Sequence, residues 1–186
     1  MKKTLFLLIF LLPCFAIAQK KSIDGFMDIP FGSDSATVKA AILAKGGVQV
    51  NSSFKKDTLI FSKLSLSGRP VSDVFVFFID NKVYDAVFSF VHSEDDILAF
   101  YDSVGTDLIA VYGKPVEVDN GSQYDRTEKI RKLKSGNISV KARWQSKNKN
   151  SILLEIISVN RALSVKVGYA DYALFNMVLA KRRSDL

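Results

Sequence analysis

His92 is the only histidine in the chain and Cys14 the only cysteine. The side chains that most often carry acid–base or thiol chemistry therefore occur once each. A nucleophilic triad needs a base held by hydrogen bonds between a nucleophile and an acid, and no serine lies in a G-x-S-x-G elbow. His92 directly precedes Ser93 and reads as a loop histidine beside a helix start. Glu94-Asp95-Asp96 place three carboxylates in a row. Consecutive helical positions diverge by about 100°, so these acids suit the positive end of a helix better than a cation site. Gly113-Lys114-Pro115 echoes a phosphate loop, but Pro stands where Ser or Thr is needed, and the segment reads as a helix stop. Paired carboxylates for glycoside hydrolysis can be assembled from scattered acids, and no motif points to them. No catalytic residue, metal site or cofactor is expected.

Two constellations suit binding. Ser139 to Lys147 alternates as a strand, with Val140, Ala142 and Trp144 on one face and Lys141, Arg143 and Lys147 on the other. Lys166 on a neighbouring strand extends that face, and Arg126, Lys129, Arg131, Lys132 and Lys134 add charge nearby. The pattern suits anionic lipid headgroups, lipopolysaccharide or an acidic protein; it is also how a solvated sheet face looks. Phe75, Phe77, Phe88 and Phe90 are candidates to line a cavity for an apolar ligand. Charge is uneven: residues 19–118 hold 10 Lys/Arg against 13 Asp/Glu, a net −3, whereas residues 119–186 hold 14 against 6, a net +8. A basic half favours acidic partners or an anionic surface.

The compartment is set at the N-terminus. Met1-Lys2-Lys3, an apolar run from Leu5 to Phe15, then Ala16-Ile17-Ala18 before Gln19 make the three parts of a secretory signal, with cleavage expected between Ala18 and Gln19. The run is too short to span a bilayer, which takes roughly 20 residues, and no later stretch reaches that length. A lipid-modified Cys14 would want Gly, Ala or Ser before it, where Pro13 stands. The mature chain of 168 residues is then cysteine-free, exported to the periplasm or beyond, and stabilised by packing alone. Nucleic acid is not an expected partner there.

The positioning elements follow from periodicity. A first helix is expected after Phe31-Gly32, capped among Ser33, Asp34 and Ser35, with Val38, Ala41 and Ile42 as its apolar stripe and Gly46-Gly47 as its end. Strands are predicted at Thr58 to Leu66, Asp73 to Ile79 and Val83 to Val91, the last two joined by an Asp80-Asn81-Lys82 turn. A second helix, capped by Ser93, carries Ile97, Tyr101, Val104, Leu108, Val111 and Tyr112 on one stripe and stops at Gly113. A weaker strand is predicted at Thr127 to Leu133, then strands at Ser139 to Lys147, Ile152 to Val159 and Leu163 to Tyr169, and a last helix from about Asp171. The strands at 73–79 and 152–159 are apolar on both faces and predict central strands covered twice.

Spacings repeat. Gly46 to Gly68 is 22 residues and Gly113 to Gly136 is 23; from each Ser-Gly turn it is 12 residues to the next Asn-bearing turn. The expected fold is α+β: two tandem units, each one helix on an antiparallel three- to four-stranded sheet, at residues 19–91 and 92–170, with a C-terminal helix and tail at 171–186.

Ile29-Pro30-Phe31-Gly32-Ser33, Phe78-Ile79-Asp80-Asn81-Lys82-Val83-Tyr84 and Tyr112-Gly113-Lys114-Pro115, in this order around helix and strands, resemble small exported domains of Gram-negative, often Bacteroides-type, bacteria. Those domains look like beta-lactamase inhibitor protein and the small lipoprotein of the outer-membrane barrel assembly machine. The resemblance spans roughly residues 25 to 175 and rests on turn and cap residues, so no functional residue carries over. It implies a non-enzymatic binding or assembly role, with a protein or an anionic envelope surface as partner. A periplasmic carrier of a lipid or small apolar ligand, and a hydrolase with a scattered site, are the alternatives.

Overall fold

The structure is a computed structural model, and it describes residues 20–50 and 57–184. The expected signal peptide and Cys14 lie outside the described residues. Two short strands, β1 (Gly25–Phe26) and β2 (Ile29–Pro30), lead into α1 (Ser35–Ala44). β3 (Val48–Val50), β4 (Thr58–Ser62), the small hairpin of β5 (Ser65–Leu66) and β6 (Arg69–Pro70), β7 (Asp73–Ile79) and β8 (Lys82–Val91) follow. Then come α2 (Ile97–Tyr112), β9 (Glu117–Asp119), α3 (Arg126–Lys134), β10 (Val140–Gln145), β11 (Ser151–Val159), β12 (Ala162–Ala170) and α4 (Tyr172–Ser184).

The fold is α+β. Eight strands form one antiparallel sheet in the order β3-β4-β7-β8-β12-β11-β10-β9. β8 and β12 meet at its centre over seven paired positions, from Asp85↔Ala170 to Val91↔Ser164. Two-residue turns set the registers of the flanking hairpins: Asp80 and Asn81 between β7 and β8, and Asn160 and Arg161 between β11 and β12, all have positive φ.

Strand alternation sorts the side chains. Val74, Val76, Ala86, Phe88, Phe90, Val165, Val167, Ile152, Leu154, Val140 and Trp144 are buried on one face. α1 covers this face beside β3 and β8 through Val38 and Ile42, and α2 covers it over β11 and β12 through Ile97, Tyr101, Val104 and Leu108. α3 adds Leu133. On the other face α4 packs against β7 and β8 and has no buried residue among those described. No described helix is long and apolar enough to cross a membrane.

Four expectations need correction. The segment predicted as a strand at Thr127 to Leu133 is α3: the Asp125 carboxylate accepts from Glu128 N–H at 2.9 Å, and Arg131, Lys132 and Lys134 fill the last turn, where cations suit the negative helix end. The predicted strand from Thr58 to Leu66 breaks at Lys63, whose φ is +58°. Ser93 does not cap α2 through its side chain; its hydroxyl donates to Asp96 Oδ2 at 2.7 Å, while its carbonyl accepts from the Asp96 and Ile97 amides. β7 and β11 are not sealed on both sides: Val74, Val76, Ile152 and Leu154 are buried, while Phe75, Phe77, Leu153 and Ile157 are only half-buried.

Asn150 ties both ends of the described chain together. It is 4% exposed, its Nδ2 donates to Ile23 O at 3.0 Å, and its Oδ1 accepts from the Tyr172 amide at 3.0 Å. Buried backbone groups left without partners are costly. Asn150→Ala is expected to lower stability by about 2 kcal/mol, measured by urea denaturation with the slope unchanged.

Candidate functional site

The half-covered sheet face is the candidate site, and the pairing registers define its rows. One row is apolar: Ile60, Phe75, Val87, Gly168 and Leu153 lie side by side across β4, β7, β8, β12 and β11. The next row is charged. Asp73 stands opposite Ser89, then Lys166, Glu155, Lys141 and Asp119 follow in order across the sheet. From Lys166 onward the sign changes at every strand, which is the favourable cross-strand arrangement.

Of the expected basic patch, Lys141, Arg143 and Lys166 lie on this face, but acids are interleaved with them. Glu117 on β9 holds Lys141 Nζ at 3.0 Å and Arg143 Nε at 2.9 Å. The Lys141 and Arg143 hydrogen bonds hold the Glu117 carboxyl below its ordinary range. Glu155 separates Lys166 from Lys141. Lys147 stands apart, because β10 ends at Gln145 and Lys147 falls in the turn that follows. The basic residues expected to add charge nearby, Arg126, Lys129, Arg131, Lys132 and Lys134, belong to α3, where Glu94 takes Lys134 at 2.6 Å and Glu128 lies 3.8 Å from both Arg131 and Lys132.

The four phenylalanines divide between the faces. Phe75 and Phe77 belong to the half-covered side, whereas Phe88 and Phe90 are filled core at 0% and 1% exposure. Phe88 meets Phe26 and Tyr169 edge-on with centroids 6.2 and 5.8 Å away, and Phe90 packs on Phe100 at 5.3 Å. Pairing explains the split: Val74 is opposite Phe88, and Phe75 opposite Val87. The four rings therefore do not line one cavity.

α4 converts part of the open face into a groove. Asp171 caps it, accepting from Leu174 N–H at 2.8 Å. A β-bulge between Phe77 and Phe78 sets Tyr84 beside Phe77 and Phe175, with centroids 6.4 and 6.3 Å away. On one side of this contact lies a groove of about 670 Å³ that reaches Thr58, Phe77 and Arg182. On the other lies one of about 330 Å³ floored by Val87, Leu153 and Gly168 and edged by Lys149, Glu155 and Tyr172. Asp85 borders both, and among the described residues no cation pairs with it. Burial pushes its carboxyl up to about 6, against a smaller opposing pull from the Ala86 amide. Gly168 leaves the floor open: a Cβ there would meet nothing nearer than Val87 Cγ2 at 3.9 Å. Sequence reasoning missed Asp85, Gly168 and the charged row; only the strand registers bring them together.

His92 is exposed and stacks on Phe100 with centroids 3.8 Å apart. Glu94, Asp95 and Asp96 do not converge, and among the described residues no group of three His, Cys, Asp or Glu side chains is placed to hold a metal ion. Gly113 ends α2 with φ +79°.

Two outcomes test this geometry. Phe88→Ala is expected to cost about 3–5 kcal/mol and Phe75→Ala about 1–2 kcal/mol, read from denaturant midpoints; equal costs would contradict the unequal faces. Because the folded pKa of Asp85 is raised, the native state holds its proton more tightly than the unfolded chain. Its stabilising contribution is present below the unfolded value and is lost as pH rises through about 6. Asp85→Asn is therefore expected to melt higher than the parent at pH 7.5, with the difference closing by pH 4. Comparison with protein-family models, with curated proteins and with solved structures finds no match to this chain.

Proposed function

We propose that this protein is an exported, non-enzymatic binding module that takes a protein partner on the half-covered face of its sheet. One observation carries the proposal: beyond buried Ile60 the apolar row continues as half-buried Phe75, Val87, Gly168 and Leu153, beside a charged row of both signs, with α4 over part of it. A solvated sheet face is ordinarily polar, and an apolar stripe rimmed by charge is how a recognition surface is built. Mixed charge favours a partner that offers both cations and anions beside apolar side chains. A uniformly anionic membrane surface would meet Asp73, Glu155 and Asp119.

In the same reading, residues 19–91 and 92–170 are two tandem helix-plus-sheet units. Support comes from the strand order, in which four strands ending at β8 and four ending at β12 run inward to the same seam. The N-terminal Lys pair, apolar run and Ala-x-Ala site support cleavage after Ala18 and work in the periplasm or outside the cell. A relation to the exported helix-plus-antiparallel-sheet domains belongs to this reading too.

A photo-crosslinking residue at Leu153 is expected to capture a discrete protein in intact envelopes, while the same residue at exposed Lys39 on α1 captures none. Gly168→Gln, which fills the floor of the groove without a clash at Cβ, is expected to abolish the adduct. Equal capture from both positions, or an adduct indifferent to Gly168→Gln, would overturn the proposal.

A further inference from the structure

Three segments remote in sequence converge beside the C-terminal end of α2. Lys20 and Lys21 come from the N-terminal segment, Lys114 from the residues after α2, and Lys147 from the turn after β10; together they line one groove of about 600 Å³. Tyr112, Trp144 and Ser146 share its lining, and no carboxylate does. Lys21 has a distant partner, Asp28 at 3.6 Å, and among the described residues Lys20, Lys114 and Lys147 are in no ion pair.

The groove is held in shape before any ligand arrives. The Lys21 amide donates to Val111 O at 3.1 Å and fixes the N-terminal segment to α2. The Trp144 indole N–H donates to Gly113 O at 2.7 Å and fixes the residue preceding Lys114 to β10. The turn bearing Lys147 is closed by Ser146 N–H to Asn150 O at 2.9 Å and Lys149 N–H to Ser146 O at 3.0 Å. Lys20 lies over Gly113, so that a Cβ there would come within 2.6 Å of its Nζ. Gly113 N–H and Lys21 N–H already satisfy the Ile109 and Val111 carbonyls at the end of the helix.

We propose that this groove binds a phosphate-bearing ligand, with Lys20, Lys114 and Lys147 as its cation donors. Like charges gathered on fixed segments repel one another, and an anion of two or more charges removes that repulsion while accepting charge-assisted hydrogen bonds. The groove is roomier than a bare phosphate and has space for a diphosphate or for a phosphate carried on a group of sugar or glycerol size. The site is separate from the half-covered sheet face and does not depend on it.

Trp144 is the sole tryptophan and bonds to the residue before Lys114, so its fluorescence reports on the groove. Titration of the full chain with pyrophosphate is expected to give a saturable change in Trp144 emission that weakens with added salt. Lys114→Gln with Lys147→Gln is expected to weaken it roughly tenfold or more; Lys141→Gln with Lys166→Gln is expected to leave it unchanged. The single Lys147→Gln, in an exposed turn, gives a partial loss without any demand on folding, which a thermal melt checks. Phosphatidylcholine vesicles doped with phosphatidylglycerol provide a second arm. If they displace pyrophosphate where undoped vesicles do not, the ligand is a lipid headgroup; if they do not, it is a soluble phosphate compound. No saturable response, or an equal response in the Lys114/Lys147 variant, or an equal loss in the Lys141/Lys166 variant, would overturn the proposal.

Discussion

The pairing of β8 with β12 is the constraint on which the rest of the molecule depends. Each strand is the last of a run of four, and each would otherwise be an edge with a row of open amides and carbonyls. Joined in register from Asp85↔Ala170 to Val91↔Ser164, they turn two exposed edges into the interior of one sheet. The pairing places Phe88 beside Val167 and Phe90 beside Val165 at the deepest part of the core. A one-residue slip would exchange the faces and bring Lys166 into that core.

The same register decides what lies outside. With α1, α2 and α3 committed to one side, α4 packs on the other, chiefly against β7 and β8. The apolar row through Gly168 and the charged row through Lys166 are thus consequences of one topology. Asp85 marks the boundary between covered and open surface, deep enough to resist ionisation and beside grooves on both flanks. The outer strands β3 and β9 are three residues long, and Glu117 and Asp119 charge the latter, which limits how far the remaining edges can recruit another strand.

Much of the fold was legible in the sequence because local chemistry and tertiary structure agree there. The stripe from Ile97 to Leu108, the stop at Gly113 and the Asp80-Asn81 turn could be read from single segments. α3 was not, since its apolar residues are few and its strongest signal is a cap: Asp125 followed three residues later by Glu128. Half-buried Phe75 and fully buried Phe88 belong to the same residue type, so the composition of β7 and β8 cannot distinguish a sealed face from an open one. The site was the least legible part. Lys166, Glu155 and Lys141 become neighbours only through two registers, and Lys20 meets Lys147 across most of the chain.

β12 is among the last segments of the chain to be synthesised, yet it occupies the middle of the sheet. A polypeptide threaded N-terminus first through a narrow passage would deliver β8 long before its partner. Until residues 162–170 emerge, Phe88 and Phe90 are flanked by β7 but lack Val167 and Val165 on their other side, so β8 is an edge with an apolar rim. Closure by long-range contacts is slow. The topology therefore postpones the joining of the two halves of the sheet until nearly the full length of the chain is available.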